Sequence, residues 1–134
     1  MKILSIFSYL FLASTFFVAC NDQSRAEVEG RINRSEVLTR LNGICENIPK
    51  PGGFKLIDKQ IRGNARKSVV AFDYKLDGSS DEANRFFEKW FSENGWTRDS
   101  SLGERFNKST DTVTLENNVT GSADFAISCS QASE

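Results

Sequence analysis

A stripe of aromatic side chains near the middle of the chain most constrains what this sequence can fold into. Its apolar residues recur at helical spacing and define one face: Ala83, Phe86, Phe87, Trp90 and Phe91. Ser79 and Glu82 before the stripe have the spacing of a capping box, and Gly95 after it is typical of a helix C-terminus. We predict a helix whose aromatic face is covered by a packed core, which explains the stripe better than a ligand-stacking surface does.

Segments with alternating apolar residues flank this helix and predict strands. Two segments before it, 54–61 and 68–76, are joined by the loop at 62–67 and indicate a hairpin. Another helix is predicted ahead of them, with Asn33 as its N-cap and an end before Pro49. The segments after the aromatic helix predict an antiparallel meander: 97–100, 104–108, 112–116 and 123–130.

This order of elements predicts an α+β fold. Helices and strands that each have one apolar face combine most simply as a two-layer sandwich. We therefore expect an antiparallel sheet of about four to six strands that carries two helices on one face.

The charge balance and the absence of histidine narrow the function. The chain has 17 basic and 18 acidic residues, a balance that gives no support to nucleic-acid binding. It has no histidine, the commonest general base and metal ligand. Acid pairs such as Asp81 and Glu82 lie where a helix is predicted to begin. Carboxylates there stabilise the helix by interacting with its dipole, which explains the pair without catalysis. We expect no nucleic-acid partner, metal or cofactor and no enzymatic activity, with an enzyme that uses carboxylates alone as the alternative.

Basic residues concentrate around the predicted hairpin. This candidate patch for an anionic partner consists of Lys55, Lys59, Arg62, Arg66 and Lys67. A basic hairpin tip suits an anionic partner. The alternative is a solvated hairpin whose lysines protect an edge strand.

The N-terminus has the pattern of an export signal. Lys2 is followed by an uncharged run over residues 3–19, and no cluster of charges follows that would stop transfer. This run is at the short limit for a spanning helix, so we predict a signal peptide over residues 1–19. Plain secretion is a weaker alternative, because ordinary cleavage after Ala19 prefers a small residue where Phe17 stands.

The residues Phe17-Val18-Ala19-Cys20 resemble a bacterial lipobox, with Phe where Leu, Val or Ile is usual. The resemblance implies that the Cys20 thiol receives a diacylglyceryl group, that Cys20 becomes the mature N-terminus, and that further acylation with a chain such as palmitate follows. It implies a lipid-anchored protein of the bacterial cell envelope. In a host with two membranes, Asn21 looks like the default address of the outer membrane, facing the periplasm.

With Cys20 assigned to lipid, Cys45 and Cys129 remain as an even pair, which favours a disulfide in an exported protein. Two buried free thiols are the alternative. Cys45 lies on an apolar stripe of helical spacing, and Cys129 alternates with Phe125 and Ile127 on one strand face.

We predict a lipidated N-terminus and flexible tether over residues 20–33, about 20 Å long, and a single domain over residues 34–134.

These features predict a membrane-anchored cell-envelope lipoprotein that acts as a non-enzymatic binding or accessory module. Its partners are the membrane, through the lipid, and a protein or an envelope polymer. The alternative is a small inhibitor or immunity-type lipoprotein that acts on an envelope hydrolase, with the loop at 62–67 as its contact.

Overall fold

The computed structural model describes residues 24–99, 104–117, 119 and 122–132. The predicted signal peptide, the lipobox-like segment and Cys20 lie outside these residues. Within them the chain forms three helices and six strands. Their bounds are α1 (Arg25–Asn33), α2 (Glu36–Asn47), β1 (Phe54–Asn64), β2 (Lys67–Leu76), α3 (Ser80–Glu93), β3 (Thr97–Arg98), β4 (Arg105–Lys108), β5 (Asp111–Asn117) and β6 (Phe125–Ala132).

The strands form one antiparallel sheet in the order β1-β2-β6-β5-β4-β3. β1 and β2 are the predicted hairpin, and α3 then carries the chain to the far edge of the sheet. From there β3, β4 and β5 return as a meander, and β6 inserts between that meander and β2. The predicted α+β fold with an antiparallel sheet is confirmed.

One face of the sheet and the helices share a single hydrophobic cluster. Phe87 of α3 lies at its centre, with ring centroids 5.6 Å from Phe54 and 5.7 Å from Phe125. Phe91 stacks on Phe106 at 4.3 Å. The aromatic stripe of α3 is therefore core at these positions, whereas Phe86 at its margin is 38% exposed.

The prediction of a flexible tether is wrong for residues 25–33, because these residues form α1. Ser24 caps this helix by accepting a hydrogen bond from the backbone N–H of Glu27. Val28 and Ile32, four residues apart, are buried to 0% and 2% exposure. Two apolar side chains are enough here because the domain supplies the surface that covers them. The helix after it begins later than predicted, with Ser35 in place of Asn33 as its N-cap.

Cys45 of α2 and Cys129 of β6 form the predicted pair. Their sulfur atoms are 2.06 Å apart and their Cα atoms 6.0 Å apart. Both residues are fully buried. The disulfide joins the helical layer to a central strand of the sheet.

Candidate anion-binding surface

The predicted basic patch is divided by the fold, and Lys59 does not belong to it. Lys59 is 3% exposed, and its Nζ lies 2.8 Å from Glu29 Oε1 and 3.5 Å from Glu46 Oε1. The same ammonium lies 4.7 Å from the centroid of the Phe72 ring. Lys59 therefore holds α1 and α2 against the sheet, and its assignment to a partner-binding patch is wrong.

A β-bulge is the reason that Lys59 points inward. The register of β1 against β2 shifts between Leu56 and Asp58. Residues of even number face the helices before the shift, and residues of odd number face them after it. Lys55 lies before the shift, on the other face, about 23 Å along the strand from Arg62. Lys55 is exposed but lies apart from the hairpin end.

The other three predicted residues, Arg62, Arg66 and Lys67, lie together at the hairpin end. The turn is tighter than predicted, because only Ala65 and Arg66 separate the two strands. All of residues 62–67 are exposed. The Asn64 side chain accepts a 2.8 Å hydrogen bond from the backbone N–H of Arg66 and fixes the turn.

A cavity of about 370 Å³ lies between this hairpin end and the junction of α1 and α2. Its cationic side chains are Arg31, Arg62 and Lys67. Hydroxyl and amide groups of Ser35, Asn64 and Ser68 complete its polar lining. Arg31 was missed in the sequence because its segment was predicted as a tether.

Two further cavities adjoin this one through shared residues. On α1, Arg31 and Arg34 line a cavity of about 420 Å³. On the sheet face away from the helices, Arg62 and Lys67 line a cavity of about 200 Å³ together with Arg105. We give the name basic band to the basic residues that line these cavities together with Arg66 of the adjacent turn: Arg31, Arg34, Arg62, Arg66, Lys67 and Arg105.

The cations of the basic band are not neutralised within the part of the chain that the structure describes. None of them forms an ion pair with a carboxylate there. The Arg62 Nε donates instead to the amide oxygen of Gln60 at 3.2 Å. Because the chain as a whole carries a formal charge of −1, this positive surface is local and is available to an external anion.

Carboxylates lie farther along the same sheet face. Asp73 is 5% exposed and accepts a 2.8 Å hydrogen bond from Gln60, while its Oδ1 is buried without a partner. Burial raises the pKa of Asp73, Arg62 opposes that rise, and Asp58 and Glu116 add to it. This side of the sheet therefore runs from a cationic hairpin end to an acidic stretch.

Lys50 and Tyr74 also have shifted pKa values, and both have structural roles. Lys50 donates to the carbonyls of Cys45 and Glu46 at the end of α2, and burial lowers its pKa to about 8. Burial raises the pKa of Tyr74, which packs in the core. Neither group faces the basic band.

Comparisons with known proteins add no function: no protein-family model, curated protein or solved structure matches this chain. None of the helices that the structure describes has the length and hydropathy that a membrane crossing requires. In the same residues, no group of three or more cysteine, aspartate or glutamate side chains is arranged to hold a metal ion. The basic band is thus the surface on which a functional argument can be built.

Proposed function

We propose that this protein is a lipid-anchored lipoprotein of the cell envelope, and that its folded domain is a non-enzymatic module that binds an anionic partner. One observation carries the binding role. The cavity at the hairpin end adjoins one neighbouring cavity through Arg31 and another through Arg62 and Lys67, and no carboxylate among the described residues pairs with these cations. The partner is a protein or an envelope polymer that presents negative charge.

The lipobox-like residues support the anchor. The position of α1 limits how far such an anchor would let the domain stand from the membrane. Only residues 21–24 separate Cys20 from the start of α1 at Arg25. Five extended residue steps span at most about 18 Å, so an acylated Cys20 would hold the domain close to the bilayer. Two or three acyl chains bind a membrane firmly, whereas one binds it reversibly. In a host with two membranes, we place the domain at the outer membrane, facing the periplasm.

The cysteine pair is consistent with this location. Disulfides persist in exported proteins because their compartments are oxidising, and they are rare in the bacterial cytoplasm. With Cys45 and Cys129 paired, Cys20 is the cysteine left for lipid.

The binding role is tested by removing charge from the band. A variant with Arg31→Gln, Arg62→Gln and Lys67→Gln is compared with a variant that loses the same charge at exposed positions outside it: Lys55→Gln, Arg85→Gln and Lys89→Gln. We expect crosslinking in intact envelopes to capture a partner with wild type and the control, and to lose it with the band variant. Equal capture by both variants would refute the proposal.

The anchor is tested with Cys20→Ser. We expect this variant to lose a metabolic acyl label and to leave the detergent phase when the phases are separated. Retention of both properties would show that the chain is held to the membrane in another way.

The hairpin supports a second candidate, a small inhibitor or immunity-type lipoprotein that acts on an envelope hydrolase. Its exposed end at residues 62–67 is closed by a two-residue turn, and such a narrow projection fits an enzyme cleft. In that case crosslinking would return one hydrolase, and the purified protein would inhibit it. Inhibition that survives replacement of Arg66 and its turn neighbours would exclude the hairpin as the contact.

A further inference from the structure

We propose that the sheet face opposite the helices contains a binding site for a phosphate-class oxyanion, held between Arg62 of β1 and Arg105 of β4. The ligand is a phosphate or sulfate group, free or carried on a larger molecule. This inference rests on the proposed function, for which it names the chemical group that the anionic partner presents.

The strand order produces a trough on this face. Toward the hairpin end of this face, the central strands β2, β6 and β5 carry small side chains, and the flanking strands β1 and β4 carry longer ones. Strand pairing aligns two successive rows across the sheet: Arg62, Val69, Ser130, Thr112 and Asn107, and then Gln60, Ala71, Ser128, Thr114 and Arg105. Long side chains on the two flanks wall a floor of valine, alanine, serine and threonine.

The floor of this trough is buried although the helices pack on the other face. Ala71 and Ala126 are fully buried, and Ser128 and Ser130 are 8% and 3% exposed. The space above the floor is the cavity of about 200 Å³ that Arg62 and Arg105 both line. That volume is several times the roughly 30 Å³ share of one water in the liquid, so the cavity has room for a group with several oxygens.

One donor of an arginine that lines this cavity lacks an acceptor. The Nε of Arg105 is buried, and no acceptor reaches it from the residues that the structure describes. Buried N–H groups without a partner are rare in folded proteins, and each calls for an explanation such as an absent ion. Arg62 uses its Nε on Gln60, which leaves its terminal N–H groups for a ligand. Lys67 adds a second cation on the same side, and the hydroxyls of Ser128 and Thr114 lie between the two walls.

The arrangement favours a tetrahedral oxyanion over a planar carboxylate. Arg62 and Arg105 approach from opposite walls, so a ligand that meets both must point oxygens in different directions. Phosphate and sulfate do this, and guanidinium groups bind such oxygens with strong charge-assisted hydrogen bonds. Glu116 lines one end of the cavity, and Asp73 lies in the next row. These carboxylates repel an anion, so the rest of the ligand at that end is neutral or cationic.

Inorganic phosphate is the probe for this site. The full-length acylated protein is studied in micelles of a maltoside detergent, because phosphocholine detergents would compete. NMR signals of the arginine Nε–Hε groups and of the Ser128 amide are followed during the titration. We expect a saturable shift at Arg62, Arg105 and Ser128, and affinity at least about tenfold weaker in Arg105→Gln and in Arg62→Gln. Arg85→Gln, which removes an exposed arginine from α3, should bind as wild type.

A second arm separates the sources of the oxyanion. Nanodiscs that contain phosphatidylglycerol are compared with nanodiscs of phosphatidylcholine alone, with the same signals as the readout. A shift of the trough signals only with phosphatidylglycerol, lost in Arg105→Gln, assigns the group to a lipid. Saturation by inorganic phosphate without such a shift assigns it to a soluble molecule or polymer.

Two outcomes would overturn the inference: no saturable shift at the trough with either probe, or equal affinity in wild type and Arg105→Gln. Thermal unfolding of each variant verifies that it is folded, and Arg105→Lys provides a variant that keeps the charge. Different results refute the oxyanion site and the proposed function. Envelope capture that is lost in the band variant but kept in Arg105→Gln supports the function, while unchanged phosphate affinity in Arg105→Gln refutes the site.

Discussion

Lys59 Nζ donates a 2.8 Å hydrogen bond to Glu29 Oε1, and this contact fastens α1 to the edge strand β1. The lysine is almost fully buried, whereas the Glu29 side chain is 40% exposed. Glu46 of α2 approaches the same ammonium at 3.5 Å. One lysine therefore joins both N-terminal helices to the sheet, and it fixes the segment that follows the proposed lipid anchor.

Replacing Glu29 tests how much its contact with Lys59 stabilises α1. Glu29→Gln leaves the buried ammonium of Lys59 with a single, more distant carboxylate, so we expect a loss of about 1 kcal/mol in the free energy of unfolding. Faster hydrogen exchange at Val28 and Ile32 should accompany it. Glu27→Gln removes the same charge from an exposed position in the first turn of the same helix, where it interacts with the helix dipole but not with Lys59, so it should change both quantities less. Equal effects of the two variants would contradict a specific role for the Lys59 contact.

The pH dependence of α1 follows from the same pair. The hydrogen bond from Lys59 holds the pKa of Glu29 below its ordinary value of 4.5, and the nearby positive charges of Lys59 and Arg25 add to this. Since the folded-state pKa is the lower one, Glu29 contributes its full stabilisation above the unfolded value and loses it as pH falls through the folded value. The protection factor of the Val28 amide, which is its observed exchange rate corrected for the intrinsic pH dependence of exchange, should therefore fall below the ordinary glutamate pKa when it is followed from about pH 6 to pH 3. Glu29→Gln should flatten that part of the profile.

The helix and strand patterns in the sequence were sufficient to predict the fold class, but not the positions that depend on backbone irregularity. Alternation over residues 68–76 predicted a strand, and β2 there has Phe72 and Tyr74 in the core. Grouping basic residues by their closeness in sequence misplaced Lys59, because the bulge between Leu56 and Asp58 turns it toward the helices and no residue type there marks the bulge. α1 escaped prediction because its apolar face consists of two large side chains.

The candidate site was predictable only in part, for a topological reason. Arg62 and Lys67 stood out because they are close in sequence to other basic residues. Arg105 belongs to a four-residue strand, and it lines the same cavity as Arg62 only because β6 and β5 lie between β2 and β4. The insertion of the last strand into the middle of the sheet leaves no local mark in the sequence.

We expect the disulfide between Cys45 and Cys129 to contribute to stability. Cys45 and Cys129 are 84 positions apart, and closing so long a loop stabilises a fold by at most about 4 to 5 kcal/mol on the chain-entropy model. We expect Cys45→Ala with Cys129→Ala to lose up to about that amount in denaturant unfolding. Because both sulfur atoms are held in the bond, thiol titration of the unreduced protein should detect neither of them, even after unfolding. Titration of a thiol from Cys45 or Cys129 would contradict the bond.

We expect the ionised form of Asp73 to lower the free energy of unfolding at neutral pH. Burial raises its pKa above the ordinary aspartate value of 3.8, so the ionised form is disfavoured in the folded state. For a carboxyl group shifted upward, stability falls as pH rises from the unfolded pKa through the folded one. Asp73→Asn removes that charge and can still accept the hydrogen bond from Gln60, so it should be more stable than wild type at about pH 7. The advantage should shrink as pH falls toward the ordinary aspartate value of 3.8, because the raised pKa favours the protonated form of Asp73 in the folded wild type. An advantage that is constant with pH would contradict this origin.

Two glycines provide a matched test of the hairpin end. Gly63 has a φ of +132°, and a Cβ added there would lie 2.2 Å from the carbonyl oxygen of Lys67, so Gly63→Ala must displace backbone next to the turn. We expect a loss of roughly 2 kcal/mol or more in unfolding free energy, together with shifted NMR signals for Arg62 and Lys67. Gly43 lies inside α2 with open space where its Cβ would be, and Gly43→Ala should instead stabilise the protein by about 0.5 to 1 kcal/mol through helix propensity. Because the basic band depends on the hairpin end, only Gly63→Ala should also weaken capture of the anionic partner. Undiminished capture by a folded Gly63→Ala would mean that the hairpin conformation does not shape the binding surface.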